Sequence, residues 1–236
     1  MFIPIGDDNS RVRITPWLTW AIVAACCYVW YRQLTGGEAY TMGWSAIPYE
    51  ITHGVDLIHT QEIVIEGSAE KIQHARGPQP IYVTLLSSMF MHGSWMHLIG
   101  NMIYMLVFAD QIEARLRRFR FLIFYVVCGL AAAMAQILSR PDSIIPILGA
   151  SGAIAGVLGA YLVTTPRNPV RLLIFIWVIT VPAWLVLGGW FALQLLALRG
   201  MDPSAVSGVA YMAHIGGFIA GAILVHALTP RRRAGN

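Results

Sequence analysis

The chain has 236 residues, of which 57% are apolar and only 12% are Asp, Glu, Lys or Arg. A soluble globular domain has about half its residues apolar and about a quarter charged, so this balance excludes an ordinary soluble domain and points to lipid. The net charge of +4 comes from 15 Arg and a single Lys, with no basic stripe interleaved with aromatics, so the basic balance does not read as nucleic-acid binding.

Residues 1–14 read as a short cytoplasmic lead. Six windows are then apolar over the ~20 residues that a spanning helix needs, at roughly 15–34, 94–112, 119–138, 148–165, 171–197 and 209–228. The first starts beside Pro16, a residue that helix starts tolerate, and is expected to end near Gly36 and Gly37. Asp7 and Asp8 precede it and no small-residue cleavage pattern follows, so it reads as a retained helix, unlike a signal or transit peptide.

From 38 to 80 the chain turns acidic and water-facing, through Glu38, Glu50, Asp56, Glu62, Glu66 and Glu70. This stretch holds a strand-like run, Glu62 to Glu66, and closes at Gly77-Pro78-Gln79-Pro80. Ile81 to Trp95 is too short and mixed for another span, and is expected to lie at the interface as a helix or broken helix. Residues 38–93 thus form an extracytoplasmic acidic segment and interfacial loop.

The second span ends in Asp110, Glu113 and the Arg cluster of 115–120, and the third reaches Arg140-Pro141-Asp142. Thr165-Pro166-Arg167-Asn168-Pro169 breaks the chain before the fifth, which Pro182 and the Gly188-Gly189 pair interrupt and which is long enough to tilt or kink. The sixth ends in Thr229-Pro230, leaving 229–236 as a basic cytoplasmic tail. The expectation is an all-α, polytopic membrane domain over 15–228.

Arginine placement orients it. With both termini in the cytoplasm, that side holds eleven Arg residues and the opposite side keeps Arg32, Lys71, Arg76, Arg140 and Arg199. Eleven against five follows the positive-inside rule, and a bacterial inner membrane fits best, with a mitochondrial membrane as the alternative. Cys26, Cys27 and Cys128 all fall inside apolar windows without metal-ligand spacing and read as small buried hydrophobes.

Strongly polar side chains inside spans are costly and face cavities or partners. Here they are His92, His97, Asn101, Ser151, Gln194 and His214. Any one alone reads as an interhelical hydrogen-bonding residue. Together, however, His97 and Asn101 share a helical face at the outer end of span two, Ser151 begins span four, and His214 lies one turn into span six. Three helices therefore present polar groups at one depth below the outer surface.

Ser151 at a helix start would sit beside N–H groups that have no internal acceptor, its own and that of Gly152. An oxyanion formed there could take those donors, with Asn101 and His97 adding others, while His214 serves as base. Gly152 and Gly156 on span four, and Gly217 and Gly221 on span six, supply small-xxx-small spacing for the close helix approach that a Ser–His contact requires.

The blocks Phe90-Met-His92-Gly-Ser-Trp-Met-His97-Leu-Ile-Gly-Asn101, Gly149-Ala-Ser151-Gly152 and Ala213-His214-Ile-Gly-Gly217 with Gly221 resemble the rhomboid family, in its order and on the second, fourth and sixth helices. Glu113-Ala-Arg115 is similar to the family's Glu-x-Arg element. The resemblance covers about residue 80 to 228. It implies a six-transmembrane-helix rhomboid-like bundle with an interfacial outer loop after helix 1. It also implies a serine endopeptidase cleaving membrane-anchored, usually single-pass, proteins with a Ser151–His214 dyad and no carboxylate. His97, Asn101 and the Ser151 backbone N–H would stabilise the oxyanion. No metal or organic cofactor is implied, and substrate access is lateral from lipid, with the fifth helix and an outer loop as gates. His92 is expected to hold the loop.

Two positions depart from the family pattern. Ala155 stands where many relatives place an aromatic that packs on the catalytic histidine, so another residue must hold the ring, Tyr211 being one candidate. Val83 and Thr84 stand nearest an expected Trp-Arg pair. Two rival readings remain. One is a catalytically silent relative that binds membrane clients or serves as a subunit of a membrane complex, with 38–80 as its interaction surface. The other is a transporter, against which the polar groups collect near one surface and no inverted repeat is visible. The protease reading carries one geometric requirement: Ser151 and His214 within hydrogen-bond reach, in a hydrated pocket open to the extracytoplasmic side.

Overall fold

A computed structural model of the chain describes residues 2–10, 12–65, 68–200 and 209–230. In chain order the elements are β1 (Phe2–Asp7), α1 (Trp17–Trp44), α2 (Pro48–His53), β2 (Thr60–Ile65) and β3 (Ser68–Gln73). A broken helical stretch follows from Ile81 to Phe90, with α3 (Thr84–Ser87) as its middle turn. Then come α4 (Trp95–Leu116), α5 (Arg118–Ser139), α6 (Ser151–Thr164), β4 (Pro169–Ile174), β5 (Trp177–Pro182), α7 (Ala183–Gly200) and α8 (Tyr211–Leu228). The described residues are mostly helical, and Val170 and Leu172 of β4 join the core that the helices build.

The helix α6 is the bundle's centre, with every residue from Gly152 to Tyr161 buried. Fourteen residues rise only about 21 Å, less than the ~30 Å of a bilayer's hydrocarbon. A helix walled in by others need not meet lipid along its whole length. Around it, α5, α7 and α8 are each long and apolar enough to cross a membrane. The helices α1 and α4 have the length but carry more polar load, with Gln33 buried on α1 and Asn101, Asp110 and Glu113 buried on α4. Among the candidate spans α7 is the most peripheral: 17% of its most apolar window is buried, against 44% for α5.

The first helix breaks where the sequence places its end: Gly37 leaves helical geometry (φ 70°, ψ −163°), which only glycine adopts easily, and a second helical stretch runs on from there to Trp44. One sequence expectation needs correction: the window of 171–197 is not helical from its start. Residues 169–182 form the β4–β5 hairpin, with Val170 opposite Val181 and Leu172 opposite Ile179, and α7 begins only at Ala183. Val, Ile, Thr and Trp crowd this stretch, and such residues fit a pleated surface better than a helix. The lead contributes the third strand: β1 pairs antiparallel with β4, Ile3 opposite Leu173 and Asp7 opposite Val170.

Polar clamps join these parts. Glu113, fully buried in α4, accepts the N–H groups of Leu18 and Thr19 at 3.1 and 2.8 Å and the Thr19 hydroxyl at 2.8 Å. It thereby satisfies donors at the start of α1 that have no intrahelical acceptor. Asp7 takes hydrogen bonds from Tyr161 and Asn168, fixing β1 to the end of α6. Gln33 and the His92 backbone exchange two hydrogen bonds (2.9 and 3.0 Å), tying α1 to the loop before α4. The expected strand-like run falls in β2 as far as Ile65 (Glu66 lies outside the described residues), and β2 pairs with β3, Thr60 opposite Gln73. Cys26 and Cys128 are buried as expected, whereas Cys27 is exposed.

Candidate active site

Ser151 is the first residue of α6, and the loop that delivers it is stitched down in three places. Ala46 and Ile147 exchange backbone hydrogen bonds of 2.7 and 3.1 Å, Tyr49 N–H donates to the Ser143 carbonyl at 3.0 Å, and Gly149 N–H donates to the Ser88 carbonyl at 2.8 Å. Gly149 has φ 133°, and a β-carbon there would stand 2.8 Å from His97 Cε1. Backbone conformation and crowding both require glycine.

His214 lies one turn into α8. Its Nε2 is 2.9 Å from Ser151 Oγ, and its Nδ1 is 2.9 Å from Gln194 Oε1 on α7. Gln194 Nε2 faces the Trp190 carbonyl at 3.4 Å, so the amide orientation that satisfies both neighbours turns its oxygen to the ring. Ser151, His214 and Gln194 thus bring α6, α8 and α7 to one point.

The α6–α8 approach is backbone on backbone. A β-carbon at Gly217 or Gly221 would collide with the carbonyl oxygens of Gly152 and Gly156, respectively, and one at Gly156 would stand 2.5 Å from Cys128 Cβ. The four glycines read as packing residues are therefore where helices meet.

A cavity of about 890 Å³ opens over the pair, lined among others by His97, Asn101, Gln136, Ser151, Trp190 and His214. Asn101 is 8% exposed, and its Nδ2 is buried without a hydrogen-bond partner among the described residues. An unpaired buried amide donor is rare and calls for an explanation. His97 Nδ1 accepts the Gly93 N–H at 3.4 Å, and its backbone N–H is capped by Ser94 Oγ at 3.1 Å. The His92 ring packs edge-on to His97 at 5.1 Å. Burial, and secondarily His97, pushes the His92 ring down to about 4, so it stays neutral at physiological pH.

The structure brings together Ser151, His214, His97, Asn101 and, through the first turn of α6, Gly152. His53, stacked on Tyr49, and His74, buried beyond β3, do not line this cavity. Two neighbours of the site escaped assignment in the sequence. Trp190, at 5.6 Å and 41° to the His214 ring, occupies the role for which Tyr211 was a candidate, while Tyr211 lines the cavity. Gln194 was noted as polar within a span, but without a partner. Their spacing of four, one face of one helix, was the available signal.

A rhomboid domain profile matches residues 80–231. The chain is similar to "RHOMBOID-like protein 5" of Arabidopsis thaliana, 30% identical over 151 residues, 64% of this chain and 45% of that protein. It is also similar to "Rhomboid protein 1, mitochondrial" of Saccharomyces cerevisiae, 28% identical over 147 residues, 60% of this chain and 40% of that protein. The chain thus spans less than half the length of these two relatives.

Proposed function

Because this chain belongs to the rhomboid family, we propose that it is an intramembrane serine endopeptidase that cleaves membrane-anchored, single-pass proteins near the extracytoplasmic face. The observation that carries this reading is the 2.9 Å approach of His214 Nε2 to Ser151 Oγ, within the reach of a general base. His214 takes the hydroxyl proton as Oγ adds to the scissile carbonyl, and returns it to the leaving amine. The oxyanion is met by the Asn101 amide donor, by His97 and by the first-turn N–H groups of Ser151 and Gly152. Water admitted through the cavity then hydrolyses the acyl-enzyme.

In this proposal the chain makes six passes, with 15–228 as the membrane domain, 38–93 outside, and 1–14 and 229–236 in the cytoplasm of a bacterial inner membrane. The arginine asymmetry supports that orientation. The test is cleavage of a reporter single-pass protein in liposomes by the intact chain, Ser151→Ala and His214→Ala. Cleavage by the intact chain alone is expected. Equal cleavage by either variant defeats the dyad, and no cleavage across several reporters favours a catalytically silent, client-binding relative.

A further inference from the structure

The His214 ring is held from a third helix. Gln194 is 9% exposed and is the polar member of the four residues that α7 buries, beside Ala183, Val186 and Leu187. Its Oε1 meets Nδ1 of His214 on the side of the ring away from Ser151, and its Nε2 is turned to the Trp190 carbonyl. Trp190, one turn earlier, packs against the same ring.

We propose that Gln194 is a positioning residue: it fixes His214 in the tautomer with hydrogen on Nδ1, leaving Nε2 bare to accept the Ser151 proton. The inference rests on the dyad reading above and adds what sets that dyad's protonation pattern. A neutral imidazole carries its hydrogen on either nitrogen, and the hydrogen bond at one decides the state of the other. With Nε2–H the ring would present a donor to the Ser151 hydroxyl and could not act as its base. An amide oxygen accepts but does not donate, so it selects Nδ1–H. It does so without placing a charge in a membrane-buried site. The Trp190 ring, tilted 41° to the imidazole at 5.6 Å, restricts ring rotation from the same helix. Both groups that hold the ring come from α7, the least buried of the candidate spans.

The test uses the whole chain in detergent with 15N-labelled histidine, the His214 signals assigned by their loss in His214→Ala. In the wild type Nδ1 should be protonated and Nε2 not. Gln194→Met, close in shape but without an acceptor, should mix the tautomers and lower kcat roughly 10- to 100-fold with KM little changed, the scale seen when a hydrogen-bond partner orienting a metal-bound imidazole is lost. Gln194→Glu restores the acceptor and should recover most of the rate. A wild-type ring protonated on Nε2 overturns the proposal, as does Gln194→Met with unchanged tautomer and kcat. If Gln194→Met fails to fold, the wild-type spectrum and the Gln194→Glu rate still decide. Failure of the protease reading is distinguishable: the wild type would leave every reporter intact, while its tautomer would still report on Gln194.

Discussion

Gly217 of α8 lies against the carbonyl of Gly152 on α6 so closely that a β-carbon at 217 would collide with that oxygen. Ser151 directly precedes one of these residues and His214 lies one turn before the other, so this backbone contact sets the spacing of the pair. Backbone cannot swing aside as a side chain can. Gly217→Ala should therefore cost about 1–3 kcal/mol of stability and abolish measurable proteolysis at temperatures where the variant is still folded. Gly188→Ala is the control, since a β-carbon there meets nothing within 4 Å. It should be neutral or stabilise by up to about 1 kcal/mol. Thermal unfolding in detergent, read beside reporter cleavage, separates the two.

Asn101 offers a donor that has no partner among the described residues. Replacing it removes no side-chain hydrogen bond seen among them. Asn101→Ala should leave the unfolding temperature within a degree or two while lowering kcat about 10²- to 10³-fold, the scale of a lost oxyanion donor. A fall in stability with kcat intact would contradict the assigned role.

The Glu113 clamp predicts the reverse pattern. Glu113→Ala leaves the Leu18 and Thr19 N–H groups and the Thr19 hydroxyl without their acceptor, each at a cost of about 1–3 kcal/mol if it stays buried. The variant should unfold earlier by several kcal/mol. Thr19→Val, which keeps both backbone bonds, should lose only about 1 kcal/mol. Unfolding of the two variants in one detergent checks the ranking.

Glu50 makes the stretch around α2 pH-sensitive. It is buried in α2 and accepts the Leu57 N–H at 2.8 Å. Burial pushes its carboxyl from the ordinary 4.5 up to about 7, opposed by the Leu57 hydrogen bond and reinforced by Asp56. A carboxyl with a raised folded-state value binds protons more tightly when folded, so stability is full below 4.5 and is lost as pH rises toward about 7. Glu50→Gln should match the wild type below pH 4.5 and become progressively more stable than it up to about pH 7. Unfolding of both proteins across that range gives the sign, and a flat or opposite difference would refute it.

The site was more legible in the sequence than the periphery was. Ser151, His214, His97 and Asn101 are polar groups in an apolar chain, and their expense in lipid marks them without any coordinates. The glycines beside them were readable for the same reason, as spacing that permits close approach. Gln194 stood in the same inventory, but its partner lies 20 residues away on another helix, and spacing alone does not pair helices. The β4–β5 hairpin was missed because a long apolar run reads as helix when length is the only arbiter. Its β-branched and aromatic content, ahead of Pro182, carried the correcting signal. The β1 strand was hidden for a different reason: six residues have too little pattern, and their pairing with β4 is a contact across more than 160 positions. The break of α1 at Gly37 was legible in the Gly-Gly pair, but the helical stretch that carries on from it to Trp44 was not.

The measurement that tests the dyad most directly is labelling of Ser151 by a fluorophosphonate, mapped by mass spectrometry on the intact chain in liposomes beside His214→Ala. The account predicts covalent modification at Ser151 in the wild type and labelling slower by about 10²-fold or more without the base. Absence of label on Ser151, or labelling indifferent to His214, would contradict it.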